Sequence, residues 1–218
     1  VAKLVRASLA LGLGSEPLQI MLWFPVLGVL IGTALMIVCA RRLGLSTWPT
    51  ALAGLCMALS HSTQLIYGYG QIDHHFAEQI FILPALAAGL GWFRAPGIAL
   101  GITLGAIFGF ALGIHNGLFI LQLPFLITAA ARWLQDNRVP LRPTFAFAAA
   151  LLVSTIAMLV PSQPFQEGRF EFYTLSWFHL YIVCCTAGVV LLMAYFRATR
   201  RNMAGLVVIT VLLLLPVR

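Results

Sequence analysis

The sequence predicts an all-α polytopic membrane protein with about eight transmembrane helices. Three observations carry that expectation. Of 218 residues, 61% are hydrophobic and only 9% charged, against roughly 25% charged in a soluble domain. Apolar runs of about 20 residues, the length that spans a bilayer as a helix, follow one another along the chain, and the mean hydropathy is +0.98. When the connections between those runs are dealt alternately to two faces, the charges sort by sign. A chain so poor in charge does not solvate its own surface in water. Its net charge of +7 therefore reads as the bias of basic residues toward cytoplasmic loops, and no nucleic-acid partner is expected.

Residues 1–17 are moderately apolar and predict a short helix lying along the extracytoplasmic interface. The transmembrane domain, 18–218, follows. Its predicted spans are 18–40, 47–66, 76–93, 97–114, 117–133, 144–161, 177–196 and 203–217. The break at His115-Asn116 is placed because an unbroken 97–133 helix would run about 55 Å at 1.5 Å per residue, far beyond a ~30 Å hydrocarbon core. Gly113 and Gly117 flank that break and are expected to ease the turn. No internal repeat, low-complexity tract or soluble domain is read. The chain opens on VAKLVRASLALGLG and stops at LLLLPVR, which suggests a piece of a longer protein.

This scheme gives one face Arg41, Arg42, Arg94, Arg132, Arg138, Arg142, Arg197, Arg200 and Arg201, with Asp136 as its acid. The other face receives Glu16, Asp73, Glu78, Glu167 and Glu171, together with His74, His75, His115 and the nearby His179. The Arg-rich face is assigned to the cytoplasm. Lys3 and Arg6 depart from the rule. Trp23, Trp48, Trp92, Trp133 and Trp177 fall near span ends and read as an interfacial aromatic belt. Cys39, Cys56, Cys184 and Cys185 lie in apolar runs without metal-ligand spacing and read as small buried hydrophobes.

The stretch YGYGQIDHHFAEQIF, residues 67–81, gathers Asp73, His74, His75 and Glu78 where one span emerges and the next begins. Gly68 and Gly70 allow a sharp turn or a close ligand approach. Asp73 and His75 are two apart, so in an extended segment they point the same way. A carboxylate and an imidazole converging on one point suit a divalent cation, with further ligands drawn from elsewhere. The structural alternative is a helix start: Asp73 as a cap, Glu78 favoured by the helix dipole, and both histidines wet at the interface. Ionisable groups beside a membrane span are costly and often functional.

A second polar focus is the loop PSQPFQEGRFEFYTLSWFH, 161–179. There Arg169 is a candidate for a lipid phosphate, and Glu167 or Glu171 for approaching the metal. The alternative is a solvated loop in which a glutamate pairs with Arg169. His115 is a candidate site residue at its turn, or simply interfacial.

The run from Phe24 to Phe81, ending GYGQIDHHFAEQIF, resembles the catalytic membrane domain of the oligosaccharyltransferase family. The shared features are a pair of spans joined by an Arg-bearing turn, then Gly70, Asp73, His74, His75 and Glu78 at the next outer loop, in the archaeal Asp-His-His form. The resemblance covers about residues 20–95. It implies a membrane-type (GT-C) glycosyltransferase in a multi-pass cytoplasmic-membrane setting, with its active site on the extracytoplasmic side. It also implies a polyprenyl-phosphate-linked glycan donor and an acceptor that is asparagine of a polypeptide in the family. Asp73 and His75 correspond to ligands of Mn²⁺ or Mg²⁺. The match gives His74 and Glu78 no ligand role; Glu78 is a candidate catalytic carboxylate beside Asp73, and His74 a candidate substrate-binding residue. The family's earlier outer-loop Asp, its later Ser/Thr-x-x-Glu motif and its carboxy-terminal acceptor domain are not seen, so the chain as given is expected to be inactive. Two other readings stand beside this one: a non-catalytic subunit of a membrane complex, and a transporter. A transporter predicts ionisable groups near mid-bilayer and matched broken helices, whereas here they gather at one mouth.

Overall fold

The computed structural model describes residues 2–68, 75–137 and 139–214. Among the described residues every regular element is helical. In order they are α1 (Ala2–Ala10), α2 (Pro17–Arg42), α3 (Thr47–Leu59), α4 (His61–Ile66), α5 (His75–Arg94) and α6 (Ile98–Ala111). A 3-10 segment (Asn116–Leu121) then leads into α7 (Gln122–Asp136), α8 (Leu141–Leu159), α9 (Gln163–Gln166), α10 (Trp177–Tyr195) and α11 (Arg200–Leu214). Among the described residues, four helical stretches are long and apolar enough to cross a membrane: α2, the continuous run Asn116–Asp136, α8 and α10. The all-helical expectation holds, and four of the eight anticipated spans have this length and composition. α6 is apolar, but its 14 residues cover only about 21 Å. The chain divides inside α5, between Ala87 and Ala88, into two compact units.

In the first unit, α2 begins with Pro17 at a position where a missing N–H costs nothing and ends on Arg41 and Arg42, cations that suit the helix C-terminus. Gly44, at φ 86°, closes it: the Gly44 and Leu45 amides donate to the carbonyls of Arg41 and Ala40 at 3.0 and 3.1 Å. That is the left-handed stop glycine favours, and it returns the chain as α3 against α2. Gly54 of α3 admits the Ile37 side chain. The predicted 47–66 span is broken at Ser60, which is extended (φ −64°, ψ 140°) and caps α4 by accepting from the Thr63 amide at 3.1 Å. A serine that offers its hydroxyl to a nearby amide gives the backbone an alternative to continuing the helix.

The second unit is a bundle of α6, α7, α8 and α10. Its closest pairing is α6 on α8, and it uses a feature not singled out in the sequence: a glycine at every fourth position from 97 to 117, of which Gly101, Gly105, Gly109 and Gly113 meet α8. Gly101 and Gly105 leave no room for a Cβ against the carbonyls of Pro143 and Phe147, and Gly109 none against Ser154. Small residues at this spacing let helix backbones meet, as in membrane helix pairs. Partners rise in number together along both helices, so α6 and α8 run parallel, with α7, between them in sequence, running back. Trp92, Phe93, Phe108, Phe125 and Phe147 form a ring cluster that holds this core, with Phe125 and Phe147 centroids 4.7 Å apart.

The predicted break at His115 is present, between α6 and the 3-10 segment. The glycines act there by close approach and not by unusual dihedrals: neither Gly113 nor Gly117 has a positive φ, and a Cβ on Gly113 would lie 2.5 Å from the Met158 sulfur. One end of this bundle carries the His115 turn and the 160–176 loop, joined where the Asn116 amide nitrogen donates to the Phe172 carbonyl at 2.8 Å. The other end carries Arg94, Arg132, Arg142 and Arg197. There Arg132 donates to the Phe93 carbonyl at 3.1 Å and pairs with Asp136 at 3.4 Å.

Two expectations need correction. Trp92 and Trp133 are not belt residues. They are buried, 2% and 3% exposed, Trp92 in the ring cluster and Trp133 donating its indole N–H to the Phe196 carbonyl at 2.7 Å. Of the four free cysteines only Cys39 is buried; Cys56 and Cys184 are exposed and Cys185 intermediate. The surface itself is apolar, with Leu30, Trp48, Phe145 and Val153 all more than half exposed. In water such coverage would be an aggregation liability; against lipid tails it is the expected face.

Candidate functional site

Both arms of the 67–81 stretch rest on one face of α2. Tyr67 follows α4 directly, its amide bonded to the Thr63 carbonyl at 2.8 Å, and its ring is 4% exposed. That ring lies across Gly28, where an added Cβ would stand 2.7 Å from Cε1; Ile80, from the other arm, is 3.5 Å from the same point. A turn further on, a Cβ added to Gly32 would stand 3.7 Å from the Tyr67 hydroxyl and 3.8 Å from Leu83. The Cys39 thiol donates to the Leu83 carbonyl at 3.4 Å. Two glycines one turn apart on α2 thus make the groove in which the chain on either side of the Asp-His-His sequence is seated.

Asp73 and His74, with Gly70, lie outside the described residues. His75 and Glu78 occupy the first described turn of α5, three apart and so on one helix face. His75 Nδ1 and Glu78 Oε2 are 2.9 Å apart. The imidazole side chain is about half exposed and the carboxylate more covered, at 53% and 17%. A carboxylate accepts hydrogen bonds and donates none, so this contact puts the proton on Nδ1 and the lone pair of the neutral ring on Nε2. Metal-bound histidines are commonly held in this way, one ring nitrogen donating to a carboxylate and the other facing the ion. His75 therefore fits a divalent-cation ligand in kind. Among the described residues no three His, Cys, Asp or Glu side chains gather around a common point.

The second polar focus belongs to the other unit. Arg169 sits between two acids, 2.6 Å from Glu167 and 3.8 Å from Glu171. Gln163 donates its amide to Glu167 at 2.5 Å. This bond, followed by the Arg169 guanidinium, holds the Glu167 carboxyl below the usual range. Thr174 donates to the Glu171 carboxylate at 3.2 Å. Ser176 takes the Glu171 amide and returns its hydroxyl to the Glu171 carbonyl, so the loop is closed on itself. The guanidinium charge is matched inside the loop, as in the solvated-pair alternative. His115 is exposed, with its ring 3.1 Å from where a Gly117 Cβ would be. The His115-Asn116 turn and this loop are brought together by the Asn116–Phe172 bond.

Several polar side chains that the sequence did not single out as site candidates are buried in the second unit, among them His179, Gln122 and Thr155. His179 is 0% exposed and completes a capping box with Ser176 at the start of α10. The signal was there in Ser176-x-x-His179, a variant of the Ser-x-x-Glu pattern. Gln122, 2% exposed, has neither amide atom hydrogen-bonded, and the Thr155 hydroxyl also lacks a partner; the His179 ring lies beside the Asn116 backbone. Compared with known proteins, the chain matches no family model, no curated protein and no solved structure.

Proposed function

We propose that this chain is membrane domain of a metal-dependent glycosyltransferase of the oligosaccharyltransferase kind. It would move a glycan from a polyprenyl-phosphate-type lipid to an acceptor at the extracytoplasmic face. The observation that carries the proposal is the His75–Glu78 contact at 2.9 Å, directly after Asp73-His74 in a Gly-x-x-Asp-His-His-x-x-Glu sequence. In this reading Asp73 and His75 hold Mn²⁺ or Mg²⁺, which when bound supplies Lewis acidity and orients the reactants. The oily lateral surface suits a donor whose lipid stays in the bilayer. The stretches α3–α4, α5, α6 and α11 supply the four further crossings of an eight-span domain. Arg169, matched by two carboxylates, is assigned to loop structure and not to phosphate binding. Glu167 and Glu171 act through that same network.

The test uses the full-length protein in a host lacking its own oligosaccharyltransferase, given a lipid-linked glycan and an acceptor reporter. Wild type, Asp73→Ala and His75→Ala are compared at equal membrane abundance. Modification by wild type alone supports reaction and site together. Modification by all three removes Asp73 and His75 from the mechanism. Failure by all three across a panel of acceptors overturns the enzyme reading in favour of a non-catalytic subunit.

A further inference from the structure

We infer that the cleft between α10 and α11, at the Arg-rich end of the second unit, seats one anionic phospholipid, with its phosphate on Arg201 and an acyl chain along the apolar walls. The inference is independent of glycosyl transfer and needs only a lipid setting for the apolar helices. The cleft encloses about 240 Å³. Buried Trp133 and Met193 line it, with Leu192 from α10 and Leu206 from α11, and Arg201 joins the lining from the first turn of α11. Its shape is built in. The Asn202 side-chain amide donates to the Arg197 carbonyl at 2.9 Å, and the Thr199 hydroxyl accepts from the Asn202 backbone N–H at 3.3 Å, so the turn leading into α11 is fixed. The Trp133 indole is fastened to the Phe196 carbonyl at 2.7 Å. Gly205 also lines the cleft, four residues from Arg201 and so on the same helix face. A Cβ added there meets nothing within 4 Å, so the space beside the guanidinium-bearing turn is open.

Charge decides what fills it. The second unit has three acids: Glu167 and Glu171 in the loop at the opposite end, and Asp136, which pairs with Arg132 at 3.4 Å. Among the described residues Arg201 has no carboxylate partner, and it is exposed. The cleft thus presents a cation over an apolar slot, and a phospholipid presents a phosphate over hydrocarbon. Basic pockets between membrane helices take anionic headgroups in this way, and the planar guanidinium suits phosphate oxygens. The surroundings give the depth. Val207 and Val208, further along α11, are exposed apolar side chains, and Tyr195 and Phe196 expose aromatic rings where that apolar surface gives way to arginines, the level at which headgroups lie.

The test is native mass spectrometry of the full-length protein in detergent, titrated with phosphatidylglycerol and with phosphatidylcholine of identical chains. Wild type is expected to retain one phosphatidylglycerol in preference to phosphatidylcholine. Arg201→Gln should cut that preference about fivefold, which is what one arginine beside an anionic headgroup contributes. Gly205→Leu puts a side chain into the cleft and should lower retention of both lipids. Its thermal unfolding midpoint should not fall, because the change removes a glycine from a helix interior at an exposed position. Arg142→Gln, at the same end but outside the cleft lining, should bind as wild type does. Equal loss of preference in Arg142→Gln and Arg201→Gln overturns the inference in favour of diffuse surface charge. Unchanged retention in a folded Gly205→Leu overturns it as well. No preference in wild type overturns it outright and leaves the cleft to a protein segment. No activity is read, so each outcome stands apart from the fate of the glycosyltransferase reading.

Discussion

The ring of Tyr67 lies across Gly28 of α2, so closely that a Cβ there would stand 2.7 Å from Cε1 and 2.9 Å from Cδ1. The blocking atoms belong to the rigid ring of a side chain only 4% exposed, so the ring itself would have to move. Gly28→Ala is thus an overpacking substitution, a class that typically costs about 1–3 kcal/mol. It should lower the thermal unfolding midpoint in detergent, whereas Gly28→Ala on a Tyr67→Ala background should cost far less. A double-mutant cycle measures the difference. Strict additivity of the two substitutions would mean that ring and glycine do not touch.

The glycine stripe of α6 makes a sharper comparison. At Gly105 a Cβ would run into the Phe147 carbonyl and stand 2.8 Å from the Leu151 amide nitrogen. Backbone cannot rotate aside, so Gly105→Ala should force α6 from α8 and destabilise by about 1–3 kcal/mol. Gly188, on α10, meets nothing within 4 Å. Gly188→Ala should be neutral or stabilising, by up to about 1 kcal/mol from helix propensity. Parallel thermal melts decide the matter, and equal effects at the two positions would rule out backbone contact at Gly105.

How much was legible follows from what each feature depends on. The His115 break was readable because length alone forbids a continuous helix there. The pairing of Arg169 with its flanking glutamates was readable because i±2 neighbours in a loop can meet without help from the rest of the fold. The Ser60 break was passed over although the polar stretch Ser60 to Gln64 interrupts the apolar run there; the Thr63 amide bond to the Ser60 hydroxyl shows it as a new helix start. Position near a span end suggested the aromatic belt, but it says nothing about which side of a helix meets another. Trp92 and Trp133 turned inward because α6, α7 and α10 pack there. The His75–Glu78 contact was implicit in i,i+3 spacing, yet its tautomer argument needed the 2.9 Å distance. Burial of Gln122 and His179 depends wholly on which helices are neighbours, which hydropathy does not encode.

Gln122 is enclosed by the bundle, with both amide atoms lacking hydrogen-bond partners in the protein. An unsatisfied buried polar group costs about 1–3 kcal/mol. If nothing else satisfies the amide, Gln122→Leu should raise the unfolding midpoint, by a gain of that order, while Gln122→Ala should lower it by leaving a cavity. A marked loss with leucine would show that an internal water or another bound group serves the amide.

Glu167 gives a prediction with a defined pH sign. Its carboxyl is held below the usual range first by the Gln163 amide and then by Arg169. A carboxylate whose folded pKa is depressed contributes stability above its unfolded pKa, and that contribution is lost as pH falls through the folded pKa. The loop 163–176 should therefore keep its order at neutral pH and loosen only in acid. Carboxyl ¹³C signals from labelled glutamate, with the Glu167 peak identified by its disappearance in Glu167→Gln, give the midpoint directly. Gln163→Leu and Arg169→Met should each move that midpoint up toward an ordinary glutamate. The Trp177 indole N–H, which donates to the Phe165 carbonyl at 3.0 Å, should show the same acid midpoint in its ¹⁵N-edited proton signal. A Glu167 midpoint that ignores Gln163→Leu would place the source of the shift elsewhere than in the 2.5 Å amide bond.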